Sequence, residues 1–125
     1  MLRRHFILLI ALLAAPFWVA SRTAAATPYD GLWSVLIITD SGTCDRGYRY
    51  ALRIVNGRVT YDDPSFDVSG RVAPGGQVSV SVRHGQSGAS GTGRLSAASG
   101  TGAGRWSGMS GGSRCAGHWE AEKRG

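Results

Sequence analysis

From Tyr48 to Ile54 the chain alternates strictly, with Tyr48, Tyr50, Leu52 and Ile54 interleaved by Arg49, Ala51 and Arg53, and it then runs into Asn56-Gly57. A period of two puts the two sets on opposite faces of an extended strand. Asn-Gly readily supplies two successive positive φ angles, so it predicts a two-residue type I′ turn. Such a turn pairs Val55 with Arg58, Ile54 with Val59 and Leu52 with Tyr61, which keeps Leu52, Ile54, Val59 and Tyr61 on one face. A slip of one residue would turn that whole set outward, so turn chemistry and apolar pattern fix the same register.

The same period recurs along the chain. Trp33, Val35 and Ile37 alternate in an earlier run, where Leu32, Leu36 and Ile38 make the other face apolar too, as in a strand covered on both sides. Asp62-Asp63-Pro64 reads as a turn, Phe66, Val68 and Val72 resume the alternation, and Ala73-Pro74-Gly75-Gly76 reverses the chain. Val78, Val80 and Val82 form the next inward row. Near the end, Cys115, Gly117, Trp119 and Ala121 share one face, and His118, Glu120 and Glu122 share the other.

Residues 85–117 hold 11 glycines and 7 serines, a composition that suits a flexible linker. Yet Ser90-Gly91-Thr92-Gly93-Arg94-Leu95-Ser96 is echoed by Ser99-Gly100-Thr101-Gly102-Ala103-Gly104-Arg105-Trp106-Ser107, with a large apolar residue near the end of each copy. Glycine at alternate strand positions lets neighbouring backbones approach closely, so two Gly-rich strands joined near residues 97–100 are expected. The chain thus reads as all-β, a small antiparallel barrel or sandwich of about eight strands. Closure of the first strand on the last would gather Trp33, Trp106 and Trp119 and carry Cys44 towards Cys115.

Residues 1–26 have the layout of a secretory signal: Arg3 and Arg4, an apolar run over residues 6–15, and Ala24-Ala25-Ala26 as small residues for cleavage. The apolar stretch to Ala20 falls short of the roughly 20 residues of a spanning helix, so no membrane span is expected after cleavage. Residues 27–125 then form a single domain of 99 residues, periplasmic or secreted, in which two cysteines normally pair. A disulfide between Cys44 and Cys115 is therefore expected, in a structural role.

Gly31-Leu32-Trp33 resembles the opening G-x-W of lipocalins and the first strand of avidin-like barrels, which implies a barrel with a ligand-holding lumen. Asp30-Gly31-Leu32-Trp33-Ser34-Val35, Cys44-Asp45-Arg46, Tyr48-Arg49-Tyr50, Phe66-Asp67-Val68-Ser69-Gly70-Arg71-Val72 and Cys115-Ala116-Gly117-His118-Trp119-Glu120-Ala121-Glu122 together resemble a family of small exported bacterial proteins without assigned activity. Some members carry labels for haem utilisation or adhesion. The resemblance implies export and supplies no site.

Catalytic patterns are thin. Gly108-Met109-Ser110-Gly111-Gly112 fits G-x-S-x-G, but a nucleophile elbow needs a strand-to-helix turn, and no Asp follows Ser110. His84 and His118 are too few for a His-rich zinc site, and His118 with Glu120 reads as a solvated polar face. Haem would need axial ligands such as His84, His118 or Met109, which no spacing pairs. Asp62 and Asp63 are adjacent, which suits a turn better than a carboxylate pair across a substrate. Three of the arginines behind the net charge of +6 are lost with the leader, and the rest are spread along the strands without a run, so no nucleic acid is expected, while residues 68–125 carry seven basic and two acidic groups that suit an anionic envelope surface.

A non-catalytic protein without cofactor or metal follows from these readings. The first expectation is an exported protein-interaction module with an unknown protein partner, of the inhibitor or adhesion kind, because bulky inward aromatics in so short a chain predict a filled lumen. The alternative is a small-ligand barrel lined by Trp33, Tyr48, Tyr50, Tyr61 and Trp106.

Overall fold

The structure, a computed structural model, describes residues 25–125, so the expected leader falls outside it except for Ala25 and Ala26. Eight strands follow in order: β1 (Gly31–Ser41), β2 (Gly47–Val55), β3 (Arg58–Thr60), β4 (Asp67–Val72), β5 (Gln77–His84), β6 (Ser87–Ser96), β7 (Thr101–Ser110) and β8 (Ser113–Lys123). Each pairs antiparallel with the next, and β1 pairs with β8 to close a barrel. No helix occurs among the described residues.

The hairpin at Asn56-Gly57 forms as its sequence dictates, with φ of 53° and 76° at the two turn residues. Val55 faces Arg58, Ile54 faces Val59, and pairing stops at Arg53 with Thr60. Leu52 and Tyr61 are thus not a ladder pair. Beyond Thr60 the chain leaves β2 for the 61–66 loop, although both side chains still point into the barrel. The glycine-rich segment is ordered as β6 and β7, paired from Gly88 with Met109 to Ser96 with Thr101.

The two ends of the barrel differ. One is closed by residues 27–30, which run beneath the strands. Trp33, 2 % exposed, fills the floor and donates its Nε1–H to the Tyr29 carbonyl (2.8 Å). The buried Tyr29 donates its hydroxyl to the Pro74 carbonyl (3.2 Å). The Asp30 carboxylate accepts from the Thr27 hydroxyl (2.6 Å) and from the N–H groups of Asn56 (2.7 Å) and Gly57 (3.0 Å), tying the entering chain to the β2–β3 turn. Ile54, Val59, Val72, Val78 and Leu95 complete this apolar floor.

The wall opposite β2 and β3 is built from glycine. Gly91, Gly93, Gly102 and Gly104 face inward on β6 and β7, and the Trp119 indole lies against them, its Nε1–H donating to the Thr92 carbonyl (3.3 Å). A Cβ at Gly104 would stand 2.6 Å from the indole and closer still to the Thr92 carbonyl. The glycines therefore provide the depth in which a flat aromatic can line a narrow barrel.

One expectation is corrected. The outer face of β1 is not covered by a second layer: Leu32, Leu36 and Ile38 are only half-buried, because a closed single-sheet barrel has no layer outside it.

Two outcomes test this account. Gly104→Ala should lower stability by about 2 kcal/mol in urea unfolding, since an indole and a backbone carbonyl must both move. Gly85→Asn, at a positive φ with open space around it, should change little. The second concerns acid. The Thr27 hydroxyl, followed by the Gly57 and Asn56 N–H groups, outweighs burial and lowers the Asp30 carboxyl from its ordinary 3.8 to about 2. Its stabilisation is thus complete above the unfolded pKa and is lost as pH falls through the folded value. Denaturant unfolding of Asp30→Asn should lack the part of the wild-type decline that falls between pH 4 and pH 2.

Candidate functional site

Above the floor the barrel is hollow. A cavity of about 540 Å³ opens at the end formed by the loops at residues 42–46, 61–66, 85–86 and 111–112. This volume lies within the range of small-molecule pockets. The filled lumen expected from the sequence is not found, because the inward positions on β6 and β7 across from the aromatics of β2 and the 61–66 loop include the small Ala89, Gly91 and Gly108 beside Trp106.

The aromatic side of the mouth is a continuous arc. Tyr48 and Tyr50 have ring centroids 6.0 Å apart, Tyr50 meets Tyr61 edge-on at 6.0 Å, and Tyr61 meets Phe66 edge-on at 5.3 Å. Phe66 then stacks on the His84 imidazole at 4.2 Å. Alternation brings Tyr48, Tyr50 and His84 inward from β2 and β5, and the 61–66 loop supplies the two rings between them. Trp106 faces the arc from β7, held by its Nε1–H donating to the Ile38 carbonyl (3.0 Å) beside the β1 bulge.

Polar groups are few and placed at the rim. The Tyr48 hydroxyl donates to the Asp45 carboxylate (2.5 Å), and this bond leads the effects that raise the phenol above its ordinary pKa of 10.0. Burial, followed by the neighbouring Tyr61, raises Tyr50. Among the described residues the hydroxyls of Tyr50 and Tyr61 make no hydrogen bond to protein, so both remain available to a guest. His84 Nδ1 lies 3.0 Å from the Ser65 carbonyl. A carbonyl only accepts, so Nδ1 carries the proton, and whenever the ring is uncharged Nε2 is its acceptor.

The disulfide joins Cys44 and Cys115 with Cα atoms 6.1 Å apart, fastening the β1–β2 loop to the start of β8. That loop carries Asp45 and borders the mouth. The expected pairing of the two cysteines is therefore present, and it lies at the rim of the cavity.

All five residues expected to line a ligand site border the cavity: Trp33 at its floor, Tyr48, Tyr50 and Tyr61 on the arc, and Trp106 opposite. Asp45, Phe66 and His84 join them, and only the last two carried a signal, as continuations of the inward alternation. Other candidates separate. His118 lies outside the barrel with Nδ1 2.7 Å from the carboxylate of Asp40, not that of Glu120. His84 and Met109 are at the mouth, away from His118. Ser110 ends β7 before a β-turn, where no elbow forms. Asp63 accepts from the Ser65 N–H (3.0 Å) and hydroxyl (2.7 Å), as a turn residue does. Comparison with protein-family models, curated proteins and solved structures gives no match for the chain.

Breaking the disulfide should cost about 4 kcal/mol of stability, from the loop closed across 71 positions. Cys44→Ala, compared with wild type in non-reducing denaturant titrations, measures it, and equal midpoints would contradict the role assigned to the bond.

Proposed function

We propose that the protein is an exported, non-catalytic barrel that holds a small apolar or aromatic molecule in its lumen. The observation that carries this reading is the open cavity of about 540 Å³, walled by aromatic and aliphatic side chains with a few polar groups at the rim. Apolar walls supply affinity by removing ligand surface from water, and a few placed polar groups supply orientation. The tyrosine hydroxyls and His84 Nε2 are suited to that second task. The disulfide is consistent with an oxidising compartment, periplasmic or extracellular. The protein-interaction reading rested on a filled lumen, and with a hollow one the ligand-binding alternative has the stronger support.

The purified protein should enhance and blue-shift the fluorescence of the neutral dye N-phenyl-1-naphthylamine with a stoichiometry of one. Ala89→Trp, which projects an indole into the lumen, should abolish the enhancement while leaving the circular dichroism of the barrel unchanged. Wild type that fails to bind the dye or any other small apolar molecule, yet captures one protein stoichiometrically, would overturn the reading in favour of an interaction module.

A further inference from the structure

The cavity has one charge sign. Of its lining residues, only Asp45 carries a formal charge with histidine neutral, and no Arg or Lys is among them. Yet residues 25–125 contain eleven basic side chains against eight acidic ones. Exclusion of cations from the deep floor is ordinary desolvation physics, but the rim is open to water and desolvation does not forbid a cation there. The rim bears a carboxylate instead.

Charge is also divided along the barrel axis. Take the mouth as its four loops with the two strand residues on either side of each. It then holds five carboxylates, Asp40, Asp45, Asp62, Asp63 and Asp67, against three guanidinium groups, Arg46, Arg83 and Arg114. The remainder of the described barrel holds three acidic and eight basic groups. The mouth is therefore net negative on a net positive molecule. A field of that polarity favours approach of cations to the opening and disfavours anions.

The rings complete the chemistry. Asp45 stands at the end of the arc, where Tyr48 donates to it and Tyr50 stands next in line. No ion pair engages Asp45 among the described residues. A carboxylate beside electron-rich aromatic faces binds an organic ammonium group by charge and by cation–π attraction together. The lumen behind it accepts an apolar body.

The geometry points to an amphiphilic amine as the ligand class: an aryl or aliphatic body in the lumen, with its ammonium group at the rim between Asp45 and the faces of Tyr48 and Tyr50. This inference rests on the ligand-binding reading above and adds to it the sign of the ligand's charge.

Three probes that share a phenylalkyl body test it: 4-phenylbutyltrimethylammonium, 4-phenylbutanol and 5-phenylpentanoate. Each is titrated into the purified protein at low ionic strength and followed by tryptophan fluorescence, to which Trp106 on the cavity wall contributes. The ammonium probe should bind with a Kd about tenfold below that of the carboxylate, with the alcohol between them. Asp45→Asn should shrink the ammonium-to-alcohol affinity ratio about threefold, and added salt should shrink it in wild type. If the alcohol binds but the ammonium has no advantage over the carboxylate, the inference is overturned while the lumen reading stands. An ammonium-to-alcohol ratio left unchanged by Asp45→Asn also overturns it. If none of the three binds and the naphthylamine dye does not bind either, the lumen reading itself fails.

Discussion

The barrel depends on the fit of the Trp119 indole against the inward glycines of β6 and β7. Trp119 sits on β8, the strand that must meet β1 for the sheet to close. A wall of ordinary side chains at positions 91, 93, 102 and 104 would leave no depth for the ring, and β8 could not hold its Trp119–Ile37 register. Loss of a buried tryptophan of this kind costs about 3–5 kcal/mol, a large share of the stability of so small a domain. The glycines cost conformational entropy, and the indole they admit offsets that cost.

The same asymmetry creates the cavity. A barrel of this strand number has an interior just wide enough for side chains to fill or for one small ligand. Here the lower half is filled by Trp33, Tyr29 and their aliphatic neighbours. In the upper half most of the large residues lie on the β2 and 61–66 side, and the small Ala89, Gly91 and Gly108 beside Trp106 leave the lumen open. Floor and cavity thus arise from one strand alternation with different residues at its two ends. The disulfide and the Trp106 bond to Ile38 hold the rim where packing alone is sparse.

Much of the fold was legible in local signals. The Asn56-Gly57 turn, the tyrosine-to-isoleucine alternation of β2 and the apolar row of β5 each point to one register and one inward face. The Gly-rich segment was harder, because its composition suits a linker as well as a strand pair, and the matching Leu95 and Trp106 decide between the two. The outer face of β1 misled, since apolar residues on both faces resemble a strand buried between layers and here meet none. The filled lumen misled for a different reason. Counting inward aromatics gives their total volume, whereas the cavity depends on their placement around the circumference.

By itself the sequence determined the β class, the strand count, the inward set and the pairing of the only two cysteines. These follow from a period of two, from turn residues with positive φ and from there being a single possible partner for each thiol. Only the tertiary structure decided which inward residues face one another across the barrel, and with that the hollow lumen. It also decided that Asp45 would stand beside Tyr48 at the rim, and that His118 would meet Asp40, 78 positions away, in preference to Glu120 on its own strand. Local patterns specify which face a residue takes, but the volume left inside a barrel depends on how all eight strands are staggered around its axis.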